Sequence, residues 1–392
     1  MDIARLISDR AHSIDASGIR RVFELGATLK NPCNLSIGQP EFPVPEAVRR
    51  ATIEAIDAGR NGYTVTQGVA PLLDRLRAHL AQDVGWPERH DDMGVLVTSG
   101  TSGALVLAAM ALLGPGDECV IPDPYFVMYP ALAKLCAARA VPCDTYPDFR
   151  LTASRVEPLL TERTKFVLAC SPGNPTGVTL TQRECDDLRD LCRARNVLLI
   201  SDEIYDRFVF PAPGTPWDAP GFVRCPSPTR QSADSYQDTL LVRGFGKTYA
   251  CTGWRLGYAA GPRRLIEEMA KLQQYTFVCA PAPAQWGAIA ALDVDMREPV
   301  EAYARRRDRV LERLGPLTEI AAPTGAFYAF PRVPERLGMT GTEFATRAVE
   351  HSLLVIPGGV FSTRDTHFRM SYATDDATLD RGLDILEKMF KA

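Results

Sequence analysis

The stretch GVLVTSGTSGALVLAAMALL, Gly94 to Leu113, changes character half-way. Val95 to Val97 form a short β-rich run that ends in a glycine and two hydroxyl residues. From Ala104 onward comes an uncharged run of alanine, leucine, valine and methionine. A β-rich run that turns through glycine into an apolar helix opens a βα unit. The helical half is about half the length a bilayer requires, so it reads as a buried helix. The same alternation continues through ECVIPDP, KFVLACSPG, VLLISDE, TLLVRGF and RLGYAAG, with glycine, proline or aspartate at each junction. Continuous apolar strands separated by helices predict an α/β fold with a mainly parallel sheet flanked by helices. Functional groups of such sheets lie where strands end, so the residues after each run are the ones to read.

The chain of 392 residues exceeds what one core usually serves, about 250 to 300 residues, so a smaller companion domain is expected. After about residue 285 the pattern changes to long helices with GAFYAF and HFRMSYA as strands, which suits a smaller α+β domain. The expected division is 1–45 as an N-terminal arm and part of the small domain, 46–285 as the large domain, and 286–392 as the small C-terminal domain. Pro211 to Asp238 is too proline-rich for regular structure and is expected as a surface loop. The run from Tyr303 to Leu314, basic but broken by Asp308 and Glu312, is expected as a solvated helix face.

Composition excludes several roles. A net charge of −4 offers no basic face for nucleic acid. The start MDIARLISDRAHSID has no apolar signal core, no segment is long enough for a membrane span, and a cytoplasmic protein is expected. Ten cysteines without a CxxC pair are expected as reduced thiols packed like small hydrophobes, and five scattered histidines give no metal centre.

Four strand ends and one lysine carry candidate chemistry. Gly100, Thr101 and Ser102 open a helix whose free N–H groups form an anion site, although the same turn serves as a plain helix cap. Phe126 puts a flat ring at a strand mouth, as a core aromatic also would. SPGNPTG (Ser171 to Gly177) is a rigid turn that offers the amide of Asn174. Asp202 ends a strand apolar enough to be buried, and a buried carboxylate needs a cationic partner that its neighbours in sequence do not supply. In GFGKTYACTGWRLGY (Gly244 to Tyr258), Lys247 is set among glycines, with Arg255 eight positions on. A lysine near cations and away from water loses its proton readily and attacks carbonyls. Gly244 and Gly246 are expected to clear space for an adduct, and Trp254 to exclude water. Taken together the five fit pyridoxal 5'-phosphate, which needs an amine for its aldehyde, an anion cradle, an acid for its ring nitrogen, a flat ring and donors for its phenolate oxygen.

With these motifs the sequence resembles the fold-type I pyridoxal-phosphate aminotransferases of the class I and II group. The likeness runs through LSIGQPEF, YTVTQGVAPLLDRLR, VTSGTSGAL, GPGDECVIPDPYFVMY, SPGNPTG, SDEIYDRF, GFGKTYACTGWRLGY and FRMSYA. It implies an aspartate-aminotransferase-like fold and a homodimer with shared active sites. Lys247 would carry the cofactor and move the proton during reaction. Asp202 would pair with the ring nitrogen, Asn174 and Tyr205 would bond the phenolate oxygen, and Phe126 would stack on the ring. Gly100, Thr101, Ser102 and Arg255 would hold the phosphate, completed by Tyr63 of the other subunit. Arg369 would clamp the substrate α-carboxylate, helped by Gly38 and Asn174. The bonds Asn174–Pro175 and Asp123–Pro124 are expected to be cis.

The implied activity moves an amino group from an amino acid to a 2-oxo acid in ping-pong fashion. A lyase, decarboxylase or cyclase on the same fold is the alternative, and a non-catalytic ligand-binding regulator a lesser one. Two departures from the family pattern stand out. Gly244 and Gly246 stand where many members have serine, and Ser102 stands where many aspartate-specific relatives have lysine. QQYTFVCAPAPAQ (Gln273 to Gln285) carries no positive charge where dicarboxylate-selective relatives supply an arginine. A donor with a neutral side chain is therefore expected, in a pocket lined by Tyr275, Phe277 and Tyr129. Arg20 or Arg21 is the one reservation.

Overall fold

A computed structural model describes residues 1–391 apart from 15–17, 19–21, 23–25, 27–28 and 212–223. After a two-residue strand, β1 (Cys33–Asn34), comes the run that opens the alternation, β2 (Met93–Thr98). β3 (Glu118–Asp123), β4 (Arg139–Asp144), β5 (Thr164–Cys170), β6 (Leu198–Asp202), β7 (Thr239–Gly244) and β8 (Gly257–Pro262) join it in one seven-stranded sheet. The strand order is β2-β8-β7-β6-β5-β3-β4. Every pair is parallel except those of β8, which is antiparallel to both β2 and β7. The expected mainly parallel sheet is present, with one strand reversed. Every residue of β7 is buried, as a strand covered on both faces requires. The helix Gly100–Leu112 that follows β2 is apolar around its circumference and packs on β8 and on the helix Arg263–Thr276.

A second core gathers Val300, Tyr303, Phe327, Phe344, Phe368 and Phe390. It carries β9 (Tyr328–Ala329), β11 (Ile356–Pro357) and β12 (Phe368–Ser371) in the order β11-β12-β9, and β1 pairs in parallel with β10 (Leu353–Leu354). Tyr205, Phe208 and Phe210, just past β6, belong to this core and not to the sheet. The segment after β6 therefore fixes Asp202 on one body and Tyr205 on the other within three residues.

Two expectations change. Of the supposed surface loop Pro211 to Asp238, residues 212–223 lie outside the described residues, while Cys225, Ser227, Thr229, Ser235 and Tyr236 are buried. Their hydroxyls satisfy interior polar groups: Ser227 donates to the buried Glu203, and Ser235 Oγ accepts from Trp86 Nε1 at 2.8 Å. The basic run from Tyr303 to Leu314 lies in a helix (Arg297–Leu314), but Arg307 is fully buried with Nη1 donating to the Pro323 carbonyl at 2.9 Å. Arg306 and Arg313 pair with Asp376, Asp384 and Glu387 of the C-terminal helix, so the run forms an ion-pair seam between helices.

Candidate active site

The C-terminal ends of the parallel strands open on a cavity of about 330 Å³ that reaches to Tyr205, Tyr328 and Arg369 of the second core. Asp202, the last residue of β6, is 3% exposed. Its Oδ2 accepts from the Tyr129 hydroxyl at 2.8 Å and its Oδ1 from the Ile204 N–H at 3.3 Å. No lysine or arginine among the described residues forms an ion pair with it. Burial pushes its pKa up to about 6; Tyr129 and the Ile204 N–H act against that rise and the charge of Glu203 adds to it. Lys247 follows β7 by three residues, and its Nζ donates to the Gly38 carbonyl. Burial lowers its pKa to about 8, with Arg369 and Arg255 adding to the effect.

Arg369, on β12, is buried, and no carboxylate among the described residues pairs with it. Nη1 donates to Asn174 Oδ1 at 3.0 Å and Nη2 to the Ser36 carbonyl at 2.9 Å, while Nε has no partner. The guanidinium lies 4.5 Å from the Tyr328 ring centre and 4.8 Å from that of Phe361. On the opposite wall, Gly100, Thr101 and Ser102 form the first turn of a helix whose N-cap, Ser99, makes no side-chain capping bond. Its N–H groups and the positive end of its dipole face the cavity as an anion site. Gly100 sits at φ 68°, and a Cβ there would meet Arg255 Nη2 at 2.7 Å, so glycine is what lets the guanidinium lie against the turn. Phe126 lines the cavity, edge-on to Tyr129 at 5.7 Å. Asn174–Pro175 and Asp123–Pro124 are both cis, as are Tyr146–Pro147 and Ser171–Pro172.

One cavity thus holds a readily deprotonated amine, an acid without a cation, a guanidinium without an anion and a helix N-terminus beside a second guanidinium. The sequence model for "Aminotransferase class I and II" matches residues 30–386. The chain belongs to the class I and II aminotransferases. It is similar to the aspartate aminotransferase of Pyrococcus abyssi, at 32% identity over 98% of each chain. It is also similar to aromatic-amino-acid aminotransferase 2 of Thermococcus litoralis, at 30% identity over 98% of each chain. A solved structure, the aspartate aminotransferase from Rhizobium meliloti, superposes with a TM-score of 0.89 at 32% identity, covering 98% of each chain. The expected transferase and its α/β fold are met, and the family works with pyridoxal phosphate.

In this aminotransferase the site residues read from the sequence converge on the cavity apart from Tyr63, Tyr275 and Phe277. Gly38, Gly100, Thr101, Ser102, Phe126, Asn174, Asp202, Tyr205, Lys247, Arg255 and Arg369 all line the cavity. Tyr63 does not: it is 88% exposed on the surface of the chain. Tyr275 and Phe277 also lie at the surface, away from the cavity they were expected to line. Tyr129 does line the cavity, as expected of a pocket wall, with its hydroxyl donated to Asp202. Gly244 does not border the cavity; a Cβ there would meet Ile204 Cδ1 at 2.7 Å and Thr101 Cγ2 at 3.1 Å, so its small size serves packing between strand ends. Trp254 is half-buried against the core beside Gly287, where a Cβ would meet its ring at 3.3 Å. Arg20 and Arg21 lie outside the described residues. Sequence reasoning missed Tyr328, Gln39 and Cys170 as cavity residues.

Proposed function

We propose that this aminotransferase binds pyridoxal phosphate in the cavity and moves the amino group of a donor with a neutral side chain to a 2-oxo acid, one substrate leaving before the next binds. The observation that carries the reading is Asp202, a fully buried carboxylate without a cation in the cavity that holds Lys247. A protonated ring nitrogen is the partner such an acid lacks, and the helix turn at Gly100 with Arg255 suits a phosphate dianion.

Bound there, the cofactor supplies an aldehyde for the donor's amine and a ring that takes up the electron pair released at the donor's Cα. The chain does the rest. Arg369 offers in-plane donors to the donor's α-carboxylate and so orients the Cα–H bond toward Lys247. Lys247 Nζ, whose pKa burial lowers to about 8, takes and returns that proton. Asn174 and Tyr205 would bond the cofactor's phenolate oxygen, Phe126 would cover its ring face, and Asp202 would hold the proton on its ring nitrogen.

The preference for a neutral donor rests on charge. Among the described residues the cations lining the cavity are Lys247, Arg255 and Arg369, each already assigned. A distal carboxylate would be desolvated there without a partner. Relatives carry both aspartate and aromatic names, which leaves the cavity's own charge to decide. With single amino acids, kcat/KM for the best of alanine, methionine and phenylalanine is expected to exceed that for aspartate. A preference for aspartate of about a hundredfold, about 2.7 kcal/mol of transition-state discrimination, refutes the neutral pocket.

Tyr63 enters through a second copy of the chain. Tyr63, Val65, Tyr275, Phe277 and Val278 leave large apolar groups on the surface. Gln273 and Gln285 tie the segment around Thr64 and Thr66 to the stretch that bears Tyr275 and Phe277. Such a patch marks an interface. The protein is expected to sediment as a homodimer, and Tyr63→Phe to weaken cofactor binding about tenfold by removing one bond to a charged phosphate. A fully active monomer overturns the shared site.

A further inference from the structure

Arg369 poses a problem of electrostatics. A buried guanidinium usually has a carboxylate beside it, but a resident carboxylate would compete with the substrate's own. Here the in-plane donors meet neutral oxygens only, from Asn174 and Ser36, and Nε stays unpartnered. The charge is met through the faces instead, by the rings of Tyr328 at 4.5 Å and Phe361 at 4.8 Å. Ring faces attract a cation without occupying its N–H groups, so the edge of the fork stays available.

Tyr328 does a second thing with its other end. Its hydroxyl lies 3.0 Å from that of Tyr205, both side chains fully buried. Gly38, whose carbonyl accepts from Lys247, packs so closely that a Cβ would come 2.4 Å from the Tyr328 oxygen. Either oxygen of a tyrosine pair can donate. If Tyr205 commits its proton to the cofactor, only Tyr328 can donate to Tyr205, and a bond accepted by a hydroxyl strengthens the bond it gives.

We infer that Tyr328 is a positioning residue that couples the two halves of the site: its ring is the floor of Arg369, and its hydroxyl orients and polarises Tyr205. This rests on the roles proposed above for Tyr205 and Arg369. The ring and the hydroxyl are separable by mutation. Tyr328→Phe keeps the floor and loses the donor; Tyr328→Leu loses both.

Two readouts on the cofactor-loaded protein test it. One is the pH titration of the bound cofactor's absorbance; the other is the dissociation constant of 3-phenylpropionate, a carboxylate without an amine. A donor on the phenolate oxygen draws charge from the conjugated system and makes it less basic, so losing that support raises the titration midpoint. Tyr328→Phe is expected to raise it by about half a pH unit while holding 3-phenylpropionate within about threefold of the parent. Tyr328→Leu is expected to weaken 3-phenylpropionate about tenfold or more. A midpoint unmoved in Tyr328→Phe overturns the coupling, and unchanged 3-phenylpropionate binding in a folded Tyr328→Leu overturns the floor. If the leucine variant does not fold, the phenylalanine titration decides alone. A parent protein that develops no cofactor absorbance instead refutes the functional reading beneath, a result distinct from an unmoved midpoint.

Discussion

Lys247→Ala is expected to lower kcat/KM by about 10⁴-fold or more while the protein still folds, because the change removes both the amine that takes up the cofactor and the base that moves the Cα proton. The fold should survive because, among the described residues, Nζ bonds the Gly38 carbonyl alone, at the wall of the cavity. Lys247→Arg sharpens the test. It keeps a cation between Arg369 and Arg255 but cannot shed its proton, so it should be as inactive as alanine. Retained turnover in either variant assigns the chemistry elsewhere. The environment also sets a direction with pH. Burial, then Arg369 and Arg255, disfavour the charged amine and lower its pKa to about 8. Only the neutral amine attacks an aldehyde, so uptake of the cofactor by the empty protein should quicken as pH rises through about 8 and level off above it. Stopped-flow absorbance measures this, and a rate that falls with pH over that range contradicts it.

How much of this could be read from the sequence depended on where burial lies. β5, β6 and β7 are covered on both faces and announced themselves as unbroken apolar runs. β4 went unread because it is the edge strand: only Cys143 is buried, and Pro142 sits within it, as an edge tolerates. The reversal of β8 was not in its composition, since Gly257 to Pro262 reads alike in both directions. A signal for it did exist. Residues 245–256, which join β7 to β8, are at the bottom of the length a parallel crossover takes and include no α-helix to make one.

The site divides in the same way. Asp202, Lys247 and Gly100 lie at or just beyond strand ends, where sheet architecture puts working groups, so position and residue type pointed to them. Arg369 came through family resemblance. Tyr129 and Tyr328 act through partners 73 and 123 residues away, and an aromatic in an apolar run reads as core until that contact is known. Gly244 was misread for a related reason. What a missing side chain avoids is a property of distant atoms, here Ile204 and Thr101, and not of the neighbours in the chain.

Asp202→Asn separates stability from function. Burial raises the carboxyl's pKa to about 6, above its ordinary value of 3.8. For an acid shifted upward, the folded empty protein carries no penalty below about pH 4, where the group is protonated folded and unfolded alike. The penalty grows between about pH 4 and 6 and is complete above. A shift of about two units corresponds to at most about 3 kcal/mol. Asparagine never ionises, and its amide can still meet Tyr129 and the Ile204 N–H. The empty variant should therefore match the parent near pH 4 and melt higher than the parent at pH 7 and above. With cofactor bound the sign reverses: the carboxylate gains the cation it lacked, the amide gains nothing, and the ring nitrogen loses the group that keeps its proton. Turnover should fall about 10³-fold, and the cofactor should stabilise the variant against heat less than it does the parent. Melting curves with and without cofactor at the two pH values, beside kcat, decide it. A variant less stable than the parent when empty at pH 7 would mean that Asp202 is already compensated in the fold. A variant with near-normal turnover would mean that the ring nitrogen does not depend on Asp202.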